Sequence, residues 1–380
     1  MHFRSTPRPL PVRHRRAAAA FAGAAVVLTL AACGSDYPLG EEQRRAAEAN
    51  ASDLSGTITG VGSSAQSAAM STWISSFSAL NPGVRVQYSP AGSGAGRTAF
   101  LAGGAAFASS DAYLDDEEME DAKAYCGPGG AMNIPAYISP IALAFNLPGI
   151  KEVNLDAETV AGIFRGEITN WSDPAIAALN EGVDLPDMRL TAVHRSDDSG
   201  TTENFTDYLH ATAPDTWTDE EDGSWPSGLG GENAQGNAGV MSTVTRTAGS
   251  IAYVDDSVAG KTAGKAKLKV GDEFVAVSAE AAALAVDAAQ PVEGRGEHDF
   301  ALKLDRGTTA PGAYPLVLVS YQIYCASYPD PETVELVKAF GKYAVSDEGQ
   351  QTAADSVGSA PMPDALAERA NAAVESITTR

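Results

Sequence analysis

The hydrophobic and polar positions of this 380-residue chain follow two alternating patterns from residue 56 onward. Short runs rich in β-branched and aromatic residues are typical of strands, whereas apolar residues spaced three or four positions apart indicate helices. The runs predict strands at residues 84–88, 105–109, 138–145, 190–194 and 315–324. The spaced patterns predict helices at residues 65–80, 95–102, 156–164, 200–212, 234–246, 331–345 and 364–376. This alternation predicts an α/β fold with parallel sheets.

The chain begins with a different pattern. Residues 1–32 contain five arginines and no acid, and their apolar run at 17–30 is shorter than the about 20 residues that a helix needs to cross a bilayer. The run ends in Leu30-Ala31-Ala32-Cys33. This ending predicts a lipoprotein signal peptide at 1–32 and a lipid on Cys33, with either the general secretory or the twin-arginine route open for export. Residues 33–54 would be a flexible tether that anchors the body to the extracytoplasmic face of the cell membrane.

The net charge of the chain excludes some classes of binding partner. Its 26 basic and 49 acidic residues give a net charge of −23, and without residues 1–32 the charge is −28. Such a field repels nucleic acid and anionic lipid surfaces, so we expect neither as a partner and a membrane contact through the lipid alone. Small anions remain possible ligands, because local backbone dipoles can outweigh a distant net charge.

Two cysteines, Cys126 and Cys325, follow the predicted lipidation site. Outside the cytoplasm a pair of cysteines favours a disulfide, and two buried thiols are the alternative.

Four turns share one design, in which glycine and small hydroxyl residues stand between a strand and a helix. They are residues 60–64 (GVGSS), 92–96 (GSGAG), 108–111 (ASSD) and 194–202 (HRSDDSGTT). Each would direct backbone N–H groups and a hydroxyl outward from the positive end of a helix, which is an arrangement that binds anions. For Ser64, Ser93 and Ser199 individually, the alternative is an ordinary helix N-cap. Four such turns together, one of them holding Arg195, predict a site for a small tetrahedral oxyanion.

Other chemistries fit the sequence less well. Residues 260–262 resemble the end of a P-loop, but Asp255 stands where its first glycine is required. The histidines beyond residue 32, namely His194, His210 and His298, have no metal-binding spacing, so we expect neither a metal nor a cofactor. A phosphate-ester hydrolase with Ser64, Ser93 or Ser199 as nucleophile is the competing function, although the sequence shows no group placed to activate a serine.

The turns occur within a longer series of ordered motifs. The series comprises residues 60–64, 88–96, 108–112, 166–176, 195–202, 225–231 and 249–254. Because of these motifs and their order, the chain resembles the substrate-binding protein of the bacterial high-affinity phosphate ABC importer over nearly all of residues 56–365. The resemblance implies a two-lobed periplasmic-binding-protein fold of type II, with the ligand in the cleft between the lobes. The two hinge crossings would fall near residues 136 and 317, so that residues 55–136 and 318–380 form one lobe and residues 137–317 the other.

The resemblance also implies a ligand set and a function. The phosphate-binding residues would be Ser64, Ala65, Ser93, Asp111, Arg195, Ser199, Gly200 and Thr201. The family often has threonine at position 64 and an aromatic residue at 65, where this chain has Ser64 and Ala65. Asp197 would orient Arg195, with a solvent-facing turn residue as the alternative. The implied function is non-catalytic capture of inorganic phosphate by a monomer, followed by delivery to the permease and ATPase subunits of the importer.

Asp111 carries the argument for selectivity. A carboxylate that faces an anion is repulsive unless the ligand has a proton to donate, and hydrogen phosphate has one whereas sulfate at neutral pH has none. Arsenate also carries a proton and is therefore the alternative ligand of the same class. The competing interpretation of Asp111 itself is a helix cap.

Overall fold

The fold is built on one long mixed β-sheet flanked by helices. The computed structural model describes residues 52–380. The strands are β1 (Ser55–Gly62), β2 (Gly83–Ser89), β3 (Phe107–Ser110), β4 (Ala131–Phe145), β5 (Glu152–Leu155), β6 (Thr191–Arg195), β7 (Glu232–Ala234), β8 (Ser250–Asp255), β9 (Gly264–Val270), β10 (Glu273–Val275), β11 (Gln290–Pro291), β12 (Leu302–Lys303), β13 (Val317–Cys325), β14 (Ser327–Tyr328) and β15 (Thr378–Thr379). The helices are α1 (Ser67–Leu80), α2 (Ser93–Leu101), α3 (Asp116–Cys126), α4 (Ala157–Arg165), α5 (Pro174–Leu179), α6 (Gly200–Thr212), α7 (Gly236–Arg246), α8 (Asp256–Ala259), α9 (Ala279–Asp287), α10 (Pro331–Val345), α11 (Asp347–Val357) and α12 (Asp364–Glu375).

The strand order through the main sheet is β2-β1-β3-β13-β4-β8-β6-β7, and β9 joins β4 with β5 and β10 beside it. The pairs β1–β2, β1–β3 and β6–β8 are parallel, as expected. The expectation of purely parallel sheets is wrong, however, because β13 runs antiparallel to both β3 and β4, and β4 runs antiparallel to β8. The α/β class is confirmed, and the antiparallel strands lie at the centre of the sheet.

Strand β4 connects two halves of this sheet. Nine of its first ten residues pair with β13, with Ala136 skipped at a register shift, and its last five residues pair with β8. We call β1, β2, β3 and the paired part of β13 the first half-sheet, and β5 to β10 the second half-sheet. Every residue of β4 is buried, so the strand lacks the alternating pattern that marks a half-buried strand. This explains why the sequence pattern predicted only its last eight residues.

The helix predictions agree with the structure to within two residues at each end, and four of them, at 156–164, 200–212, 331–345 and 364–376, agree to within one residue. The elements that the sequence pattern did not predict include β1, β8, β9, α5, α9 and α11. The predicted hinge positions 136 and 317 fall inside β4 and at the first residue of β13, and the lobe boundaries themselves stay a prediction.

The first half-sheet takes its core from distant parts of the chain. Phe340 of α10 packs edge-on against Phe77 of α1, with ring centroids 5.4 Å apart, and tilted against Phe107 of β3 at 5.7 Å. The indole N–H of Trp73 donates to the carbonyl of Gly349 at 2.8 Å. The C-terminal helices therefore complete the hydrophobic core that the first strands begin.

The predicted disulfide is confirmed. Cys126, the last residue of α3, is bonded to Cys325, the last residue of β13, with 4.9 Å between their Cα atoms. Both side chains are fully buried. The bond ties the C-terminal end of α3 to the central antiparallel strand of the sheet.

Within residues 52–380, no helix is both long and apolar enough to cross a membrane. The predictions for the signal peptide at 1–32, for Cys33 and for all but the last residues of the tether lie outside the described residues.

We expect reduction of the disulfide to lower the free energy of unfolding by about 2–4 kcal/mol, because the bond closes a loop of 199 residues and restricts the unfolded chain. Denaturant unfolding with and without reductant measures this difference. The double variant Cys126→Ala/Cys325→Ala is the control and should respond to reductant with no shift. Equal unfolding midpoints for the oxidised and reduced wild type would contradict the prediction.

Candidate anion-binding site

The four turns identified in the sequence meet at one buried site. Three of them lie at the carboxyl ends of β1, β2 and β3, which share one edge of the first half-sheet because these strands are parallel neighbours. The predicted turn at 108–111 is mostly strand, because residues 108–110 belong to β3 and the next helix begins only at Asp116. The fourth follows β6 of the second half-sheet and leads into α6. Contact between the two sides is direct, since the backbone N–H of Gly94 lies 3.4 Å from the carbonyl of Asp198.

Asp111 lies at the centre of the site and is 3% exposed. Ser320 of β13 donates to its Oδ1 at 2.7 Å, and Thr201 of α6 donates to its Oδ2 at 3.2 Å. Its backbone N–H donates to Ser93 Oγ at 3.2 Å, and its carbonyl accepts from Asn204 Nδ2 at 2.8 Å. Asp111 caps no helix, because the N-cap of α3 is Asp115. The carboxylate is instead held by groups from both half-sheets.

The ionisation of Asp111 reflects two opposing effects. Burial raises the pKa of its carboxyl above the ordinary value, while the hydrogen bonds from Ser320 and Thr201 and the positive charge of Arg195 act in the opposite direction. The environment therefore contains donors that favour the ionised form, even though burial disfavours it.

Arg195 supplies the positive charge of the site and is 2% exposed. Its Nε donates to Asp197 Oδ1 at 2.8 Å, and its terminal nitrogen contacts the other oxygen of the same carboxylate. The N–H of Gly236 also donates to Asp197 Oδ1 at 3.0 Å. Burial alone would raise the pKa of Asp197, but these bonds and the arginine charge bring it below the ordinary value. Asp197 thus holds the guanidinium through two of its five N–H groups and leaves the others for a ligand.

The hydroxyl groups of the three predicted serines each accept a hydrogen bond from a backbone N–H group. Ser64 Oγ accepts from the backbone of Asn237 at 3.1 Å, Ser93 Oγ accepts from Asp111, and Ser199 Oγ accepts from Thr202 at 3.2 Å. Ser199 is therefore the N-cap of α6, whereas Gly92 precedes the first turn of α2 and Ser93 is its first residue. In each case the hydroxyl proton stays available for an acceptor outside these bonds.

Helix α6 adds backbone donors. Among residues 52–380 the N–H groups of Gly200 and Thr201 have no hydrogen-bond partner, as expected for the first turn of a helix. A Cβ atom on Gly200 would lie 2.7 Å from both Asp111 Cβ and Ser93 Oγ. Only glycine therefore lets this helix end approach the Asp111 turn so closely.

Ala65 differs from the other predicted residues. It is fully buried, and its backbone N–H donates to Ser63 Oγ at 3.0 Å. The structure thus places Ala65 beside the site and gives its N–H a partner within the 60–64 turn.

The arrangement can bind an anion but offers no activated nucleophile. In the part of the chain that the structure describes, none of Ser64, Ser93 and Ser199 is hydrogen-bonded to a histidine or lysine side chain. His194 lies next to Arg195, but its Nδ1 contacts the carbonyl of Arg195 at 2.8 Å and its ring stacks on Trp225. The same residues contain no group of three or more potential ligands arranged to hold a metal ion.

Comparison with known proteins places this geometry in a family. Residues 47–348 match the model of the PBP superfamily domain. The chain is 36% identical to the phosphate-binding protein PstS3 of Mycobacterium bovis, across 93% of this chain and 96% of that protein. It is also 36% identical to the phosphate-binding protein PstS 2 of Mycobacterium tuberculosis, across 83% of this chain and 86% of that protein.

The chain belongs to the PstS family of phosphate-binding proteins.

Solved structures agree with this assignment at the level of the fold. A high-affinity periplasmic phosphate-binding protein, PfluDING, solved with bound phosphate, superposes with a TM-score of 0.67 at 23% identity and covers 83% of this chain and 93% of its own. The phosphate-binding protein of Stenotrophomonas maltophilia gives a TM-score of 0.62 at 20% identity, with 84% and 94% covered. The two-lobed periplasmic-binding fold predicted from the sequence is thereby confirmed.

The sequence analysis of this PstS-family chain missed several polar residues at the site. They are Ser63, Asn204, Asn237 and Ser320, all buried. Ser320 had a detectable signal, because it is the one serine in a strand, β13, that consists mostly of apolar and aromatic residues. Asn204 and Asn237 lie in the first turn or two of helices, where an asparagine is so common that its type alone carries no signal.

Arg97 was also missed, although it joins the two sides of the site. Its Nε pairs with Glu118 at 2.8 Å, and its terminal nitrogens lie 3.7 Å from Glu203 and 3.9 Å from Asp198. Burial raises the pKa of Glu203 to about 7, and the nearby carboxylates of Asp198 and Glu118 act in the same direction while Arg97 opposes them. One cation therefore faces three carboxylates here.

We expect Glu203→Gln to stabilise the protein at pH 8 and to have a much smaller effect at pH 5. A raised pKa in the folded state contributes stability at low pH, and that contribution is lost as the pH rises toward 7, where the partly buried carboxyl group ionises. Since 30% of the side chain is exposed, we expect a gain in unfolding free energy of about 1–2 kcal/mol at pH 8. Denaturant unfolding at both pH values measures it, with Glu335→Gln on the exposed face of α10 as the matched control. A gain of equal size at both pH values would contradict the prediction.

Proposed function

We propose that this chain captures inorganic phosphate outside the cytoplasm and delivers it, unmodified, to the permease and ATPase of an ABC importer. The observation that carries the proposal is that a buried carboxyl acceptor, Asp111, and a buried cation, Arg195, lie in one site whose other polar groups are mostly hydroxyl and backbone N–H donors. Relatives with 36% identity are named phosphate-binding proteins, which supports the same ligand.

The donors suit an oxyanion of tetrahedral shape. They converge from different directions, since Ser64 and Ser93 belong to the first half-sheet side whereas Arg195, Ser199, Gly200 and Thr201 belong to the second. Charge-assisted hydrogen bonds contribute about 1.5–3 kcal/mol each, so a handful of them can supply the roughly 8 kcal/mol of micromolar binding after the cost of desolvation.

Asp111 gives the site its selectivity. Both of its carboxylate oxygens already accept a hydroxyl proton, so the carboxylate is positioned as an acceptor. Hydrogen phosphate can donate its own proton to this acceptor, whereas fully ionised sulfate would place lone pairs against lone pairs in a buried environment.

The donors on both sides of the site would require the two half-sheets to close around the ligand. A periplasmic-binding fold closes by a hinge motion that the bound ligand favours, and β4 connects the two sides here. A monomer is sufficient for this mode of binding, since every proposed ligand residue comes from one chain. The lipid on Cys33 and the tether at 33–54 would keep the protein next to the permease.

Two alternatives to this function are a phosphate-ester hydrolase and a binding protein for arsenate. A phosphate-ester hydrolase would need an activated serine, and the contacts of Ser64, Ser93 and Ser199 do not supply one. Arsenate carries a proton as phosphate does, so it can donate a hydrogen bond to Asp111 and should compete with phosphate for the site.

We expect calorimetric titration of the purified chain, stripped of bound anion, to show one phosphate bound with micromolar or tighter affinity and no sulfate binding at neutral pH. In Asp111→Asn the sulfate rejection should weaken by about tenfold or more, because the repulsive charge is gone and the amide can donate. Asp121→Asn, on the exposed side of α3, is the control and should behave as wild type. Absence of phosphate binding by the wild type would refute the proposed function, and turnover of a chromogenic phosphate ester would favour the hydrolase.

We expect Cys33→Ser to move the protein from the membrane fraction to the soluble extracytoplasmic fraction, because the residue would no longer accept a lipid. Cell fractionation followed by immunoblotting measures the distribution, with Ser35→Ala as the matched control. Retention of the Cys33→Ser protein in the membrane fraction would contradict lipid anchoring at this residue.

A further inference from the structure

Asn237 is a fully buried residue in the first turn of α7, and its side-chain orientation is fixed by the backbone. Its Oδ1 accepts the N–H of Asp255 at 2.9 Å. Because a backbone N–H can only donate, the amide oxygen must face Asp255 and the amide nitrogen must face the opposite direction. There, Nδ2 lies 3.0 Å from Ser64 Oγ and 3.3 Å from Thr201 Oγ1.

Ser64 receives two hydrogen bonds from this one residue. The backbone N–H of Asn237 lies 3.1 Å from Ser64 Oγ, in addition to the side-chain Nδ2. A hydroxyl has two lone pairs and one proton, so both acceptor positions of Ser64 are occupied. The hydroxyl can then only donate its proton to a further partner, and the anion site supplies one.

Thr201 is constrained in the same way. Its Oγ1 accepts from Asn237 Nδ2 and lies 3.2 Å from Asp111 Oδ2, so its proton is directed toward the carboxylate. Ser320 donates to the other carboxylate oxygen and itself accepts from Gln66 Nε2 at 3.0 Å. The side-chain amides of Asn237 and Gln66 therefore donate to the hydroxyls of Thr201 and Ser320, and these two hydroxyls in turn donate to Asp111.

We propose that Asn237 is a positioning residue for specificity: it fixes the hydroxyl protons of Ser64 and Thr201 so that Ser64 donates to the anion while Asp111 accepts the anion's proton. This inference rests on the proposed phosphate-binding function. It assigns the discrimination between protonated and unprotonated oxyanions to a residue that contacts the ligand only through others.

The surroundings of Asp111 determine how the loss of Asn237 would change its behaviour. The charged and titratable groups that face it are Arg195 at the end of β6, Asp255 at the end of β8 and the phenol of Tyr88 on β2. Without Asn237 the Thr201 hydroxyl is free to turn away, and Asp111 loses a donor that favours its ionised form. Protonation of Asp111 then becomes easier as the pH falls, and a protonated carboxyl can donate to sulfate.

The test is titration of phosphate and sulfate into the full chain between pH 5.5 and pH 8, for the wild type and for Asn237→Ala. We expect phosphate affinity to fall by about tenfold in the variant, and the phosphate-to-sulfate preference to decrease further toward pH 5.5 than it does in the wild type. Asn237→Asp keeps an acceptor for the Asp255 N–H but removes the side-chain donor, so it should lose phosphate binding by about a hundredfold or more.

Asn180→Ala is the matched control. Asn180 is also buried, and it bonds to the backbone of Asn154 and Ile176 within the second half-sheet side, away from the site. It should lower the melting temperature and leave anion preference unchanged. The inference is overturned if Asn237→Ala loses stability as Asn180→Ala does but keeps the wild-type preference at every pH. In that case phosphate binding by the wild type would still support the proposed function, whereas a wild type that binds no phosphate would overturn both.

Discussion

The buried carboxylate of Asp111 is the interaction on which the rest of the site depends. A carboxyl group with 3% exposure must have its polar atoms compensated, and the compensation comes from Ser320 on the central strand, Thr201 on α6 and the charge of Arg195. These groups belong to segments that are distant in sequence. The need to satisfy one carboxylate therefore determines how closely α6 approaches the first half-sheet, and Gly200 is the residue whose small size permits that approach.

The mixed sheet makes these contacts possible. A purely parallel sheet would bring only the strand ends that share an edge close together, and β1, β2 and β3 do this for three of the turns. The antiparallel strand β4 continues from the first half-sheet into the second, and β13, which pairs with β3 and β4, places Ser320 within hydrogen-bond distance of Asp111. The same strand β13 ends at Cys325, so the disulfide holds the strand that carries one of the carboxylate's donors.

The sequence predicted local features of the chain better than it predicted the framework of the sheet. Glycine and hydroxyl residues at four strand-to-helix turns indicated the anion site, because backbone donors at helix ends are a local property of such turns. The amphipathic helices were predicted to within two residues for the same reason. Only the second half of strand β4 was predicted, because a strand buried on both faces has no alternation of apolar and polar residues. Ser320 and Asn237 were missed because they act through hydrogen bonds to Asp111 and Ser64, which are 209 and 173 residues away in the sequence.

The charge of the site is separate from the charge of the protein. A net charge of −23 would repel a small anion at long range, but salt screens that field over about 8 Å, whereas Arg195 and the N–H groups of α6 act within hydrogen-bond distance. Asp197 takes up part of the arginine charge and at the same time fixes its direction. In the proposed function, affinity would therefore depend on backbone dipoles and the oriented guanidinium of Arg195 rather than on the net charge of the protein.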